Sequence, residues 1–380
     1  MAWLGTMLGI MSGVASIFGV NTAGSKTSLK SIIANEQCTR VIKLTDSLSI
    51  AFYRDNSSPY TQYYRKIING IPSTEYSTSD GGTTSVPLVA ARLSDTSCIY
   101  CWTTSGTLYY NVISGLDGTP SVDYNSTASS YSLGNNPQHN LVGLSSDDAA
   151  IFINDSSLAK LIVFEDLSTS PAIASTNTIY SGEAAHSYLI ALSSTKIVAF
   201  YNGLPSVGYF KVIDNVTTTP SIGTQYTFSG SDSINFGSRG LMDCCTLDST
   251  NALVAWNYNS GNVVKAALVS SLDGTPSVSG TTTITNAGDG SAISLTQFSK
   301  DDVLITYYDS GTNNIKGTML NDVQSSITQD TEFTIDSAAL GGAAGSVIKI
   351  LDTSGICVFK DNTSGSGTDG NPSIRLLSYS

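Results

Sequence analysis

Residues 189–201 read LIALSSTKIVAFY, which is a hydrophobic run, a short polar turn and a second hydrophobic run. Two apolar runs of strand length joined by a polar turn predict a β-hairpin. The same pattern occurs in seven copies, and the last apolar residue before the turn repeats every 48 to 55 residues. In chain order these turn residues are Leu44, Leu93, Leu144, Leu192, Leu247, Phe298 and Leu351.

Each repeat predicts four strands, which we call A to D. Strand A ends at the turn residue, and strand B follows with a small residue before an aromatic one, as in Ala199-Phe200. Strand C is a further apolar run. A turn with proline follows it in five repeats, twice as LDGTPSV (116–122 and 272–278), and strand D is rich in threonine. Proline suits such a turn because its φ is preset, and a polar fourth strand suits a sheet edge in water.

Four antiparallel strands in each of seven repeats predict an all-β fold, a seven-bladed β-propeller with four-stranded antiparallel blades. The rival is a linear solenoid of hairpins, but a solenoid needs polar capping repeats at both ends. The seventh repeat stops after its strand C, and the apolar segment Leu29–Ala34 lies just before the first strand A. We therefore expect this N-terminal strand to complete the seventh blade and close the ring.

The composition fits an all-β chain that is poor in charge. Charged residues make up 13% of the sequence and hydrophobic residues 41%. A helical bundle would need a more highly charged surface, and a disordered chain would have less material for a core. The formal net charge is −12, which argues against nucleic acid as a partner because an acidic protein repels phosphates.

Cysteine and histidine give little sign of metal or cofactor chemistry. The six cysteines form no CxxC pair and have no histidine at zinc spacing, so we expect small buried thiols, no bound metal and no cofactor. Cys244 and Cys245 are adjacent in strand A and should point to opposite faces. The two histidines, His139 and His186, open strand A of neighbouring repeats. Either they form a shared site for a ligand or an ion, or they are two polar residues at the boundary between a loop and a strand.

Residues 1–26 differ from the repeats and form the first predicted domain, before a propeller spanning residues 27–380. The first charged side chain is Lys26, and apolar residues at helical spacing predict a short apolar helix. The helix is interpreted as a secretory signal, a membrane anchor, or a segment buried either against partner subunits or as a plug on the propeller's own face. The predicted anchor or assembly residues are Trp3, Leu4, Gly5, Leu8, Gly9, Met11, Gly13 and Phe18.

The loops offer the only recognition signal, since the familiar catalytic motifs are missing. No Ser-His-Asp order, phosphate loop or HExxH is present, and the sequence alone predicts a protein that is not an enzyme. Long connections from strand D to the next strand A are rich in Ser, Asn and Gly, which suits adaptable recognition of polar surfaces but also ordinary loops. The candidate binding residues are Tyr131, Asn135, Asn136, His139 and His186.

The repeat unit, V-A-[FWY]-x-[DN]…G as in VAFYNG (198–203), followed by DGTPSV and a Thr-rich strand, resembles propeller repeats of bacteriophage and other viral virion proteins. The resemblance spans about residues 28–380. It implies a homo-oligomeric virion-surface spike, fibre or decoration protein that binds other virion proteins through residues 1–26 and a host glycan or receptor through the propeller. An extracellular carbohydrate-binding or carbohydrate-active protein is the alternative. The resemblance carries over no site residues.

Overall fold

The structure of the protein is a computed structural model, and the elements in the part of the chain that it describes are all β-strands. The residues that it describes are 20–23, 27–28, 40–54, 61–78, 88–104, 106–128, 140–155, 158–182, 184–203, 206–230, 232–234, 242–258, 263–285, 291–309, 311–337, 346–351, 354–361 and 371–379. Within these ranges the structure has no helix. The described part of the chain therefore contains no helix that could cross a membrane.

The first three blades follow two short N-terminal strands, β1 (Val20–Ala23) and β2 (Thr27–Ser28). Each of these blades is an antiparallel meander, in which strands that are neighbours in the chain pair in the sheet. The strands are β3 (Arg40–Lys43), β4 (Leu48–Arg54), β5 (Gln62–Ile68) and β6 (Ile71–Thr78); β7 (Leu88–Arg92), β8 (Cys98–Thr104), β9 (Thr107–Ser114) and β10 (Ser121–Ala128); and β11 (Leu141–Gly143), β12 (Ala149–Asp155), β13 (Leu158–Glu165) and β14 (Ala172–Tyr180).

Blades 4 to 6 have the same order, but their outermost strand is split into two short pieces that both pair with the third strand. Their strands are β15 (Ala184–Ala191), β16 (Ile197–Gly203), β17 (Val207–Asp214), β18 (Ser221–Ile222) and β19 (Tyr226–Thr227); β20 (Met242–Thr246), β21 (Ala252–Tyr258), β22 (Val263–Ser270), β23 (Ser277–Val278) and β24 (Thr282–Thr285); and β25 (Ser291–Gln297), β26 (Val303–Asp309), β27 (Asn314–Asn321), β28 (Thr328–Gln329) and β29 (Phe333–Asp336).

The seventh blade joins the two ends of the chain. It consists of β30 (Ser346–Leu351), β31 (Ser354–Asp361) and β32 (Asn371–Tyr379), and β1 and β2 both pair antiparallel with β32. The innermost strands of successive blades contact one another in order, and β30 returns to β3. The predicted closed seven-bladed ring, completed by an N-terminal strand, is therefore confirmed.

The closing strand lies earlier in the chain than the sequence predicts. Backbone pairing runs from Val20 opposite Tyr379 to Ser28 opposite Ser373, whereas the predicted strand Leu29–Ala34 lies outside the described residues. The predicted helix over residues 1–26 is wrong at residues 20–23, because β1 is a strand there. The free edge of β32 offers backbone donors and acceptors to β1, and this pairing overrides the helical spacing of the apolar residues. The rest of the predicted helix, residues 1–19 and 24–26, lies outside the described residues.

Polar side chains join the innermost strands of neighbouring blades. An innermost strand has one edge without a ladder partner, so its backbone groups need other partners. The Thr246 hydroxyl donates to the carbonyl of Ala191 at 3.2 Å, and the Lys43 ammonium donates to the carbonyl of Ile350 at 3.1 Å. These bonds cross from blade 5 to blade 4 and from blade 1 to blade 7, so they help to hold the ring together.

The A–B and C–D turns meet at one end of the ring, which we call the turn face. Where the hydrogen bonds of an A–B turn are described, the backbone N–H of the turn residue donates to the carbonyl four residues later. For Leu144 and Asp148 the distance is 2.8 Å. The C–D turn contacts the A–B turn of the same blade. In blade 2 the backbone N–H of Leu116 donates to the backbone carbonyl of Thr96 at 2.9 Å. The strand ends that lead into the B–C turns and D–A connections lie at the opposite end, which we call the loop face.

The core consists of layers packed between adjacent blades. Cys244 packs with residues of blades 4 and 5, and Cys245 packs with residues of blades 5 and 6, so their predicted opposite orientation is confirmed. Cys98 and Cys101 are likewise buried and free. Burial raises the pKa of these thiols, which keeps them protonated and inert.

Removal of residues 1–28 should lower the thermal unfolding temperature and promote aggregation, because β32 would then present an unpaired edge. Differential scanning calorimetry and light scattering measure both effects. Removal of residues 1–19 alone is the matched control, since it leaves β1 and β2 in place. If the two truncated chains unfold at the same temperature, the N-terminal strands do not stabilise the ring.

Candidate functional site

The predicted binding residues are not brought together by the described part of the structure. Tyr131, Asn135, Asn136 and His139 lie outside the described residues. His186 lies in β15, but its side chain is not described. A shared site for the two histidines and recognition by these loops therefore stay predictions. Among the described residues, no group of three or more His, Cys, Asp or Glu side chains is placed to hold a metal ion.

Seven residues at equivalent positions of the innermost strands form a ring at one level of the propeller, and five of them are polar. It occupies the position four residues before each turn residue, toward the loop-face end of the innermost strands. Two blades have valine there, and the other five have polar side chains that are all buried. In blade order the seven residues are Arg40, Val89, Asn140, Tyr188, Asp243, Ser294 and Val347.

Asp243 anchors this ring through the backbone. Its Oδ1 accepts the N–H of Cys244 at 2.8 Å, and its Oδ2 accepts the N–H of Leu295 in the next blade at 2.7 Å. The residue is 0% exposed. Burial of a carboxylate costs free energy unless hydrogen bonds and an opposite charge compensate for the lost hydration. The two backbone N–H groups supply the hydrogen bonds.

Arg40 supplies the opposite charge from blade 1. The residue is 7% exposed, and burial lowers the pKa of its guanidinium to about 10, although the charge of Asp243 and the hydroxyl of Tyr188 act in the other direction. At neutral pH the guanidinium is therefore still charged. The fields of Asp243 and Arg40 both reach Tyr188, whose own pKa is raised mainly by burial. The three side chains form one buried electrostatic cluster that links blades 1, 4 and 5.

A separate groove of about 640 Å³ lies between the outer strands of blades 5 and 6. Its volume falls within the range of small-molecule sites, roughly 300 to 1,000 Å³. Ile327 is partly buried and contributes apolar surface, Ile284 lies behind the groove in the core, and the other residues bear hydroxyl, amide or carboxylate groups. The lining residues are Thr282, Thr283, Ile284, Ile327, Thr328, Gln329 and Glu332.

Glu332 is the charged member of the groove, and its neighbours fix its position. Its Oε1 lies 2.7 Å from the ammonium of Lys316, which also lies 2.8 Å from Asp309. The hydroxyl of buried Tyr307 donates to its Oε2. The Glu332 side chain is 32% exposed. A carboxylate that is held in place and partly exposed can accept further hydrogen bonds from a ligand.

The same arrangement of tyrosine, cation and acid occurs in blade 1. Tyr53 and Tyr307 both lie nine residues after their turn residue. The Tyr53 hydroxyl donates to Glu75 at 2.5 Å, and Arg65 lies 3.6 Å from the same carboxylate. The network itself is therefore part of the repeated architecture. In blade 6 a groove opens beside this carboxylate.

The sequence pattern does not single out Asp243 or Glu332. One signal was available for Asp243, since it is a charged residue inside an apolar innermost strand, MDCCT. Glu332 follows a short outer strand, where an acidic residue is ordinary. Its role depends on Lys316 from the adjacent strand β27, which sequence spacing alone does not place beside it.

No protein-family model matches this chain, and no curated protein matches it. Solved structures do match. A protein of unknown function from Dyadobacter fermentans has a TM-score of 0.53 at 12% identity, over 94% of this chain and 99% of that one. An oligogalacturonate lyase in complex with manganese has a TM-score of 0.54 at 9% identity, over 96% of each chain. A prolyl endopeptidase has a TM-score of 0.51 at 10% identity, over 86% of this chain and 46% of that one.

These neighbours correct the prediction that the chain is not an enzyme. A lyase and a peptidase share its fold, so the absence of familiar motifs from the sequence does not rule out catalysis. At 9% and 10% identity, however, they carry no catalytic residue over to this chain. The likenesses establish the β-propeller fold and leave its enzymatic status open.

Proposed function

We propose that the chain is a surface-displayed attachment protein whose propeller binds a host-surface glycan in the groove between blades 5 and 6. The observation that carries the proposal is the lining of that groove: threonine hydroxyls, the amide of Gln329 and the carboxylate of Glu332 beside the partly buried apolar side chain of Ile327.

The chemistry of this lining matches a sugar. A pyranose has hydroxyl groups on its rim and C–H groups on its faces, so it needs both hydrogen-bonding side chains and apolar surface. Lys316 lies 2.7 Å from Glu332 and 2.8 Å from Asp309, so one cation faces two carboxylates, and the groove favours a neutral ligand with hydroxyl donors over an anion. The proposal places the protein on a virion surface. Binding of other virion proteins through residues 1–26 and formation of a homo-oligomer are further predictions. An extracellular carbohydrate-binding protein would have the same groove chemistry.

Glu332→Gln should weaken glycan binding by about tenfold to a hundredfold, since a hydrogen bond to a charged group contributes roughly 1.5–3 kcal/mol. A glycan array selects the ligand, and isothermal titration calorimetry then measures Kd for the wild type and the variant. Glu75→Gln is the matched control, because Glu75 has the same tyrosine and cation contacts in blade 1 and a similar exposure of 26%.

Three outcomes distinguish the alternatives. Loss of affinity in the Glu332 variant alone supports the groove. Equal loss in both variants, or in neither, shows that the glycan binds elsewhere. A wild-type protein that binds no glycan on the array contradicts the proposed function itself. Each glycan that binds is also incubated with the protein and analysed for cleavage, because cleavage would make the chain a carbohydrate-active enzyme.

A further inference from the structure

Side chains close several of the seams between neighbouring blades, where a seam is the space between two neighbouring innermost strands. In the described part of the chain this occurs from the seam of blades 4 and 5 round to the seam of blades 7 and 1. At each of these seams a side-chain hydroxyl, amide or ammonium donates to a backbone carbonyl of the preceding blade, which has no further strand to pair with. The pairs are Thr246 with Ala191 at 3.2 Å, Gln297 with Leu247 at 2.5 Å, Lys349 with Phe298 at 2.5 Å and Lys43 with Ile350 at 3.1 Å.

The seams on either side of blade 3 cannot be closed in this way. The donors Lys43, Thr246 and Gln297 each stand one residue before the turn residue of their blade. The same position holds Gly143 in blade 3 and Ala191 in blade 4. Glycine and alanine have no side-chain donor, so the carbonyl of the preceding blade receives no hydrogen bond from them.

The carbonyl of Gly143 faces Ala191 across one of these seams. The N–H of Leu144 donates to the carbonyl at the other end of its A–B turn, so the backbone groups of Gly143, one residue earlier, point away from the ladder. At the neighbouring seams the carbonyl of this position faces the same position of the next blade, as that of Arg92 faces Gly143 and that of Ala191 faces Thr246. The same geometry sets the carbonyl of Gly143 opposite the methyl group of Ala191.

A cavity of about 460 Å³, which we call the seam cavity, opens here toward the turn face. It is lined by the innermost strands of blades 2, 3 and 4, and its volume falls within the range of small-molecule sites, roughly 300 to 1,000 Å³. Its walls are mainly small apolar side chains, among them Ala90, Ala91, Val142 and Ala191. The seam cavity therefore combines apolar walls with backbone carbonyls.

The charges at the seam cavity favour a neutral ligand. Arg92 is the charged residue of its lining, and the guanidinium is held within its own turn. Its Nε donates to the carbonyl of Ser94 at 3.3 Å, and Asp95 pairs with the same guanidinium. Both charged side chains are at least half exposed. The guanidinium would repel an ammonium ligand, and the carboxylate would repel an anion.

We propose that the seam cavity binds a small neutral molecule that has an amide or hydroxyl donor on a short aliphatic body. The donor takes the place of the missing side chain and bonds the carbonyl of Gly143, and the aliphatic part packs on the alanine and valine side chains. The seam cavity lies at the innermost strands, so the proposal is independent of glycan recognition between the outer strands of blades 5 and 6.

The closed seams show that this chemistry fits the space between innermost strands. The Gln297 side chain is an amide on a short aliphatic stem, and the Thr246 side chain is a hydroxyl beside a methyl group. Each bonds a carbonyl of the preceding blade. A ligand without an N–H or O–H group would displace water from the carbonyl of Gly143 and leave it without a donor, which costs free energy.

Two isomeric probes test the hydrogen bond. Propionamide has N–H donors, and N,N-dimethylformamide consists of the same atoms but has none. Each is titrated into the full chain labelled with ¹³C at the alanine methyl groups. Propionamide should shift the methyl signals of Ala91 and Ala191, with a Kd on the order of 1–10 mM because the probe is small. The isomer should bind about tenfold more weakly. The methyl signal of Ala255, buried between blades 5 and 6, is the internal reference.

Ala191→Thr tests the position of the ligand. It places a hydroxyl opposite the carbonyl of Gly143, as Thr246 does for that of Ala191. The shift of the Ala91 signal by propionamide should then be lost, while the thermal unfolding temperature should not fall. Ala172→Thr is the matched control, because it adds the same atoms to the outer strand β14 of blade 3 and should leave the titration unchanged.

Other titration results would overturn the proposal. If propionamide leaves the signals of Ala91 and Ala191 unchanged, the seam cavity does not bind this class of ligand. Equal affinity for the two isomers would show that no carbonyl acceptor is used. Unchanged affinity in a folded Ala191→Thr variant would place the ligand elsewhere. Should that variant fail to fold, the comparison of the isomers on the wild type still decides.

Discussion

Asp243→Ala should lower the free energy of unfolding by about 2–6 kcal/mol, because two buried backbone N–H groups lose their acceptor and each unsatisfied group costs roughly 1–3 kcal/mol. The substitution removes the acceptor of two backbone N–H groups in different blades, at 2.8 and 2.7 Å. It also leaves the buried guanidinium of Arg40 without the carboxylate whose charge supports it. Chemical denaturation followed by circular dichroism measures the change.

The matched control is Asp46→Ala. Asp46 pairs with Lys43 at 2.7 Å, and its side chain is 80% exposed. Solvent screens such a pair, so the denaturation midpoint of this variant should not change. If the Asp243 and Asp46 variants unfold at the same midpoint, the buried cluster does not stabilise the ring.

A double variant separates the charge from the shape. Asp243→Leu combined with Arg40→Met removes both charges and fills the buried space of the two side chains with apolar volume. It should be more stable than Asp243→Ala, because no uncompensated charge is left buried. It should not regain full stability, since the N–H groups of Cys244 and Leu295 lose their acceptor. A double variant that is less stable than Asp243→Ala would show that packing, not charge, dominates the cluster.

The blade architecture follows from the sequence because each repeat carries its own local signals. The turn at Leu144 shows this, since Ser145 Oγ bonds Asp148 at 2.7 Å, and Ser299 does the same with Asp302. These bonds join residues three apart, and local bonds of this kind are visible as a sequence pattern. The C–D turn adds a second local signal, because Asp166, Asn215 and Asp322 have φ between 54° and 55°. Asn and Asp tolerate this left-handed conformation better than most residues.

The closure and the candidate groove depend on contacts that sequence spacing does not show. The apolar residues before Val20 follow a helical spacing, and only the free edge of β32, more than 350 residues away, makes a strand of Val20–Ala23. Glu332 likewise becomes a candidate binding residue because Lys316 holds its carboxylate and because a groove lies beside it, between blades 5 and 6. Long-range strand pairing and the gaps between blades therefore leave no pattern in the local sequence.

Gly143→Ala should destabilise the protein by about 3 kcal/mol, at the upper end of the usual cost of overpacking. Gly143 lies in the innermost strand of blade 3, where its backbone approaches blade 2 so closely that a Cβ would overlap the carbonyl oxygen of Arg92. The obstacle is backbone, which a change of side-chain rotamer cannot relieve. The two innermost strands must then move apart, and because the ring is closed the displacement passes to the other blades.

Gly274→Ala is the matched control for this substitution. Gly274 lies in the C–D turn of blade 5, and a Cβ there would meet no atom within 4 Å. Its effect on the free energy of unfolding should stay within about 0.5 kcal/mol. Chemical denaturation of the two variants and the wild type, under the same conditions, gives the comparison. Equal stability of the two variants would mean that the seam between blades 2 and 3 accommodates a methyl group, and that the close approach at Gly143 is not what fixes the spacing of the innermost strands.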